Sequence, residues 1–353
     1  MKYQLYSCVW ELTLACCFSC AHCGSKAGQP RENELTLQEC LDVIDQLAEL
    51  GCERVSLIGG EVFLYPGWNI VVDFLARRGM RLCIITNGYM IDQKIIRQLK
   101  DSAIRYIVVS VDGAQANHDK MRVAGSYQKA IDAIKMLKQE GFYVSVITTM
   151  NQDNAEDLEA LYEVFSELKI DAWQLQNCSP MGNAVSLKAP DLATQRRIQQ
   201  FVAEKMQTGS LLIGFAHNVG YFSAEERCIR GNPDEDVCFS GCNAGLSNIG
   251  IDSVGNVRGC ESLYDERFIE GNIRERSLVD IWNDENNFSY NRRFQTDMLT
   301  GACSRCKWNE RCAGGCRSFN YFSSGNLYES ANCVIAEAET IFCAERSQTA
   351  AKP

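Results

Sequence analysis

Over its first 210 residues the chain alternates short, β-branched-rich apolar runs with amphipathic helix patterns, and this rhythm restricts the fold more than any other feature. "YQLYSCVWELTL" opens the series. "RVSLIGG" at 54–60, "MRLCIITNG" at 80–88, "IRYIVVSVDG" at 104–113, "FYVSVITTM" at 142–150 and "DAWQLQN" at 171–177 then have the composition of strands buried in a parallel sheet. Helix patterns separate them: "TLQECLDVIDQLAELG" starts with Thr36 and Glu39 at capping-box spacing and stops at Gly51. Six β-α units in this order predict an α/β fold, a right-handed parallel sheet curled into a partial barrel. Ligands of such barrels bind at the C-terminal strand ends.

The other constraint is cysteine, 19 in 353 residues. The net charge of −10, with no Lys/Arg run interleaved with aromatics, argues against nucleic acid and against anionic lipid as partners. No window approaches the roughly 20 apolar residues of a membrane span, and "MKYQLYSCVWEL" lacks the basic head and apolar run of an export signal. A cytoplasmic protein with no membrane segment is therefore expected, and there dense cysteine favours metal ligation or redox chemistry over disulfides.

Cys16-x3-Cys20-x2-Cys23 follows the first strand directly. Such a loop could bind zinc with a remote fourth ligand, hold an iron-sulfur cluster, or be three buried core cysteines. In a 4Fe-4S cluster three thiolates would leave one iron open to a substrate or cofactor. The loop resembles the signature of the radical SAM superfamily, CxxxCxxC after the first strand of a partial β/α barrel. The resemblance implies that the open iron binds the amino and carboxylate groups of S-adenosylmethionine (SAM), which is cleaved reductively to a 5′-deoxyadenosyl radical. Gly59, Gly60 and Glu61 match the family's GGE motif, expected at the SAM amino group; glycines allow close backbone approach and a carboxylate suits an ammonium. Ser110, at the fourth strand end, is expected at the SAM ribose or carboxylate. Arg122 resembles the family's carboxylate-binding arginine, and His22 stands where the family places an aromatic residue by the adenine.

The C-terminal third resembles the SPASM domain, whose seven cysteines are matched in order by Cys242-x12-Gly255-x4-Cys260, Cys303-x2-Cys306-x5-Cys312-x3-Cys316 and Cys333. Two structural zinc knuckles are the alternative, since C-x2-C pairs also suit tetrahedral zinc. By resemblance, Cys242, Cys260 and Cys316 serve a first auxiliary 4Fe-4S cluster and Cys303, Cys306, Cys312 and Cys333 a second, three clusters in all. Cys238 is the candidate fourth ligand of the first. Two further residues are candidates for catalysis: Cys178 on the active-site rim in "QLQNCSPMGN", and Glu261, where related sulfatase-maturating enzymes carry an acid that could act as base. The expected organisation is a barrel at 1–210, a loop-rich bridge at 211–241 and the SPASM domain at 242–353. "LSNIGIDSVGNVRGC" reads as a hairpin, "SLVDIWND" as a short helix, and "ESANCVIAEAETIFCAER" as a final helix.

Enzymes of this kind mostly modify peptides. The resemblance therefore implies a radical enzyme that abstracts hydrogen from a ribosomally made peptide substrate, forming a cross-link, with an external electron donor such as flavodoxin or ferredoxin. Only seven residues precede the strand that begins near Cys8, so leader recognition is expected to use another surface or a separate leader-binding protein. Sulfatase (formylglycine) or tetrapyrrole maturation is the second enzymatic reading. An iron-sulfur electron-transfer or carrier protein is the reading of another class, which has no use for a GGE motif.

Overall fold

The computed structural model describes residues 3–230, 239–330 and 333–335. Seven parallel strands lie side by side in chain order: β1 (Ser7–Glu11), β2 (Arg54–Ile58), β3 (Arg81–Thr86), β4 (Tyr106–Ser110), β5 (Tyr143–Met150), β6 (Ala172–Asn177) and β7 (Leu212–Phe215). Between them run α1 (Leu37–Glu49), α2 (Trp68–Arg77), α3 (Gln93–Asp101), α4 (Gln115–Met121), α5 (Ser126–Gln139), α6 (Leu158–Glu167) and α7 (Leu192–Thr208). The capping box forms as read: Thr36 Oγ1 accepts the Glu39 N–H at 3.3 Å, and Glu39 Oε2 accepts the Thr36 N–H at 2.8 Å. Gly51, at φ +76°, then lets the chain leave the helix.

Alternation along each strand divides the sheet into two faces. Trp10, Leu57, Ile84, Val109, Val146 and Trp173 turn outward and share one core with Val43, Val71, Leu99, Ile134, Phe165 and Val202 of the helices. The intervening residues, among them Ser56, Ile58, Val108, Ser110, Ile147 and Thr149, border a single cavity. One cavity touching every strand requires the sheet to curl around it, so the architecture is the expected partial barrel.

The sheet also runs past the expected boundaries. β7, within the segment expected to be a loop-rich bridge, pairs in parallel with β6 from Ala172–Leu212 to Leu175–Phe215. The expected hairpin is β8 (Asn248–Ile251) and β9 (Asn256–Arg258), and β8 pairs in parallel with β1. With β10 (Gly271–Asn272) the sheet has ten strands in the order β10-β9-β8-β1-β2-β3-β4-β5-β6-β7. Without β8, β1 would present an edge of unpaired backbone groups. Buried charges reinforce the junction: Arg31 reaches both Glu11 and Ser253, and Arg258 Nη1 pairs with Asp252 Oδ2 at 3.0 Å. The short helix forms at Leu278–Asn283, while most of the expected final helix lies outside the described residues. Among the described residues no helix is long and apolar enough to cross a membrane.

Candidate active site

The cysteine loop is held from both sides by backbone. Gly60 N–H donates to Thr13 O and Glu61 N–H to Ala15 O, both at 2.7 Å. A Cβ on Gly59 would stand 2.6 Å from Thr13 O, and one on Gly60 2.2 Å from Ala15 O. These glycines therefore admit the chain's own cysteine loop against the end of β2. The Glu61 carboxylate, 1% exposed, accepts Thr86 Oγ1 at 2.8 Å and the Asn87 N–H at 3.0 Å. Asn87 in turn offers its amide to Cys17 Sγ at 3.6 Å and to Cys16 Sγ at 3.9 Å. Opposite, the loop after β6 clasps the same segment: Asn183 donates its N–H to Cys23 O at 2.9 Å and its side-chain amide to Cys20 O at 3.0 Å.

Two of the three sulfurs meet backbone N–H donors. Cys16 Sγ accepts the Phe18 N–H at 3.4 Å and Cys23 Sγ the Ala27 N–H at 3.2 Å. Cys20 lies within electrostatic reach of both Cys16 and Cys23, and all three are free. Burial pushes the Cys20 thiol up to about 11. Such a site stays protonated until a metal takes the proton's place. Three thiols on one loop, two of them with N–H donors to sulfur, have the donor chemistry of a cluster held by three ligands, while no three metal-ligating side chains among the described residues stand close enough together for a single ion.

Beside the loop, one oxygen gathers two side chains. Asp112 Oδ2 accepts Arg122 Nε at 2.6 Å and lies 3.2 Å from His22 Nε2, while Asp112 Oδ1 takes the Thr149 N–H at 2.8 Å. His22 Nδ1 is buried without a partner. His22, Arg122 and Ser110, from three separate segments, all line the cavity. Asp112, Asn87 and Asn183 were not singled out in the sequence. Asp112 and Gly113 directly follow a strand and read there as a turn; an acid at a C-terminal strand end was the available signal.

The cavity has a volume of about 1130 Å³ and runs from His22 and Cys23 to Cys260, Glu261 and Tyr264. Cys178 borders it from the end of β6, and burial pushes its thiol up to about 12. Glu261 borders it from the far side. It is 7% exposed, and neither carboxylate oxygen has a partner. Burial, then the neighbouring Glu11, push its pKa well above the usual carboxylate range. It is not a solvated surface glutamate.

The seven late cysteines separate into two groups. Cys260 and Cys316 are each in electrostatic contact with Cys242. Cys312 is in the same kind of contact with Cys303, Cys306 and Cys333, beside the stacked rings of Phe222 and Trp308. Cys238 lies outside the described residues.

The model of the radical SAM superfamily matches residues 10–165, and that of SPASM, an iron-sulfur cluster-binding domain, matches residues 242–307. The chain carries a radical SAM domain followed by a SPASM domain. As a radical SAM/SPASM enzyme it works with 4Fe-4S clusters and SAM. It is 27% identical over 331 residues to an AdoMet-dependent heme synthase of Methanosarcina barkeri, covering 91% of this chain and 93% of the relative. It is 27% identical over 323 residues to mycofactocin maturase MftC of Mycolicibacterium smegmatis, covering 89% and 78%. Streptococcus suis SuiB, solved bound to S-adenosylmethionine, shares the fold with a TM-score of 0.76 at 20% identity, over 94% of this chain and 77% of SuiB.

Proposed function

We propose that this radical SAM/SPASM enzyme abstracts hydrogen from a peptide and forms a cross-link in it. The observation that carries the reading is the chemistry of the cavity wall. Ser110, Ser145, Thr149, Gln174, Gln176 and Asn177 offer hydroxyls and amides, which match peptide backbone groups, and Glu11 and Glu261 add buried carboxylates. Among similar proteins MftC is a maturase, and SuiB has been solved with its precursor peptide SuiA.

In this reading Cys16, Cys20 and Cys23 hold the SAM-binding cluster. Gly59, with Gly60 and Glu61 behind it, meets the SAM amino group; Arg122 and Ser110 take the carboxylate and ribose, and His22 the adenine. The loaded site supplies a carbon-centred radical that removes a hydrogen atom from the substrate. Formation of the new bond would release one proton and one electron from the substrate: Glu261, once ionised, would take the proton, the auxiliary clusters would take the electron, and the buried Cys178 would help to keep water from the radical. Cys242, Cys260 and Cys316, with Cys238 as fourth ligand, hold one auxiliary cluster; Cys303, Cys306, Cys312 and Cys333 hold the other. A flavodoxin or ferredoxin supplies electrons, and a separate protein presents the leader.

The full-length similarity to heme synthases favours tetrapyrrole maturation as a second reading. Anaerobically reconstituted enzyme with SAM and a reductant would be given, separately, any small peptide found to be encoded beside its gene and an iron porphyrin with propionate side chains. A peptide lighter by two hydrogens with the porphyrin unchanged supports the proposal. Decarboxylated porphyrin with unchanged peptide moves the enzyme to the second reading.

A further inference from the structure

Two arginines are buried among the described residues, and they are treated differently. Arg258 is paired with Asp252. Arg317, 1% exposed, has no carboxylate within ion-pair distance among the described residues. Its hydrogen bonds all go to neutral oxygens: Nε to Asn291 Oδ1 at 3.0 Å, and Nη1 to Ala313 O at 2.6 Å and Leu327 O at 3.1 Å. The rings of Phe294 and Tyr328 flank the guanidinium at 4.9 and 4.7 Å. An arginine cannot shed its charge as a lysine can, so a guanidinium buried without an anion needs one supplied from elsewhere.

The groups around it that would become anions on binding metal are sulfurs. Arg317 follows Cys316 in the chain and lies in electrostatic contact with Cys242 and Cys316 of one group and with Cys312 and Cys303 of the other. Asn291, which holds Arg317 Nε, also donates to Cys242 O at 3.2 Å, so the guanidinium is fixed relative to the first group.

We propose that Arg317 is the shared counter-ion of the two auxiliary clusters and raises their reduction potentials. A cluster ligated by three or four thiolates is a net anion, and reduction adds one electron and one more negative charge. A fixed cation between two such anions stabilises the reduced form of each more than the oxidised form. Arg317 touches no reacting atom and acts through the clusters alone. The inference rests on the assignment of the two cysteine groups to clusters.

The test is a redox titration of the reconstituted full chain followed by electron paramagnetic resonance, with iron content measured in parallel. Arg317→Met should shift the auxiliary potentials negative or lose auxiliary iron, and leave the potential of the N-terminal cluster in place. Arg317→Lys, which keeps the charge but not the planar fork, should keep both the iron and the wild-type potentials. Full iron with unshifted auxiliary potentials in the Met variant overturns the proposal. So does a Lys variant that loses auxiliary iron or shifts as far as the Met variant, since guanidinium geometry rather than charge would then matter. Wild-type protein without auxiliary iron would instead remove the cluster assignment beneath it.

Discussion

Asp112 and Arg122 form a buried pair, Oδ2 to Nε at 2.6 Å, and the same oxygen lies 3.2 Å from His22 Nε2. Burial alone would raise the Asp112 pKa, but Arg122 and then His22 hold it well below the usual carboxylate range. One carboxylate thereby positions two of the side chains assigned to SAM. In Asp112→Asn the charge on Arg122 stays buried without its acid. Losing charge-assisted bonds worth about 1.5–3 kcal/mol should weaken SAM binding by roughly one to two decades, with iron content intact. Equilibrium dialysis of SAM checks this, and an unchanged affinity would show that the pair serves only the fold.

Glu61 predicts a pH dependence. Burial pushes its pKa up to about 7, against the hydrogen bonds from Asn87 and Thr86 that pull it down. The native state then holds the proton more tightly than the unfolded chain. Its stabilising contribution is complete below the ordinary carboxylate pKa of about 4.3 and is lost as pH rises through about 7, on the order of 3 kcal/mol in all. Urea unfolding of metal-free protein should show that decline, and Glu61→Gln should flatten it. Parallel profiles for the two proteins would contradict it.

Gly60→Ala should damage the cysteine loop, because the new Cβ would stand 2.2 Å from Ala15 O. Gly28→Ala, in the same loop, places its Cβ where nothing lies within 4 Å. Iron analysis should find the first variant short by about four irons, one cluster, and the second complete. Equal iron in both would mean that the approach of β2 to the loop does not shape the site.

The strands β1 to β6 and the cysteine spacing were legible because each is local: a β-branched run, a capping box, a fixed interval between thiols. β7 was not, since "LIGF" is four residues long and its partner Ala172–Leu175 stands 40 residues earlier. The pairing of β8 with β1 joins Ser7 to Asn248, a register that no local pattern encodes. In the site, the residues assigned to ligands by motif could be named from sequence. Asp112, Asn87 and Asn183, which hold them, could not, because their roles depend on contacts between distant loops. For Glu61 the sequence suggested a carboxylate for SAM, and the structure places both its oxygens on Thr86 and Asn87.

Glu261→Gln separates proton transfer from radical generation. Glu261 borders the cavity with both oxygens unpartnered, so the amide should fit without disturbing a bond. The variant should still cleave SAM and hold its iron, while formation of modified peptide falls by roughly two to four decades. Product formation at the wild-type rate would take Glu261 out of the reaction.

The assignment of the N-terminal loop is tested most directly by replacing Cys16, Cys20 and Cys23 together with Ala and assaying reconstituted protein for iron and for 5′-deoxyadenosine. Because the loop and the two late cysteine groups are separate in space, the variant should keep about eight of about twelve irons and form no 5′-deoxyadenosine. A variant that still forms 5′-deoxyadenosine from SAM would place the SAM-cleaving cluster elsewhere in the chain.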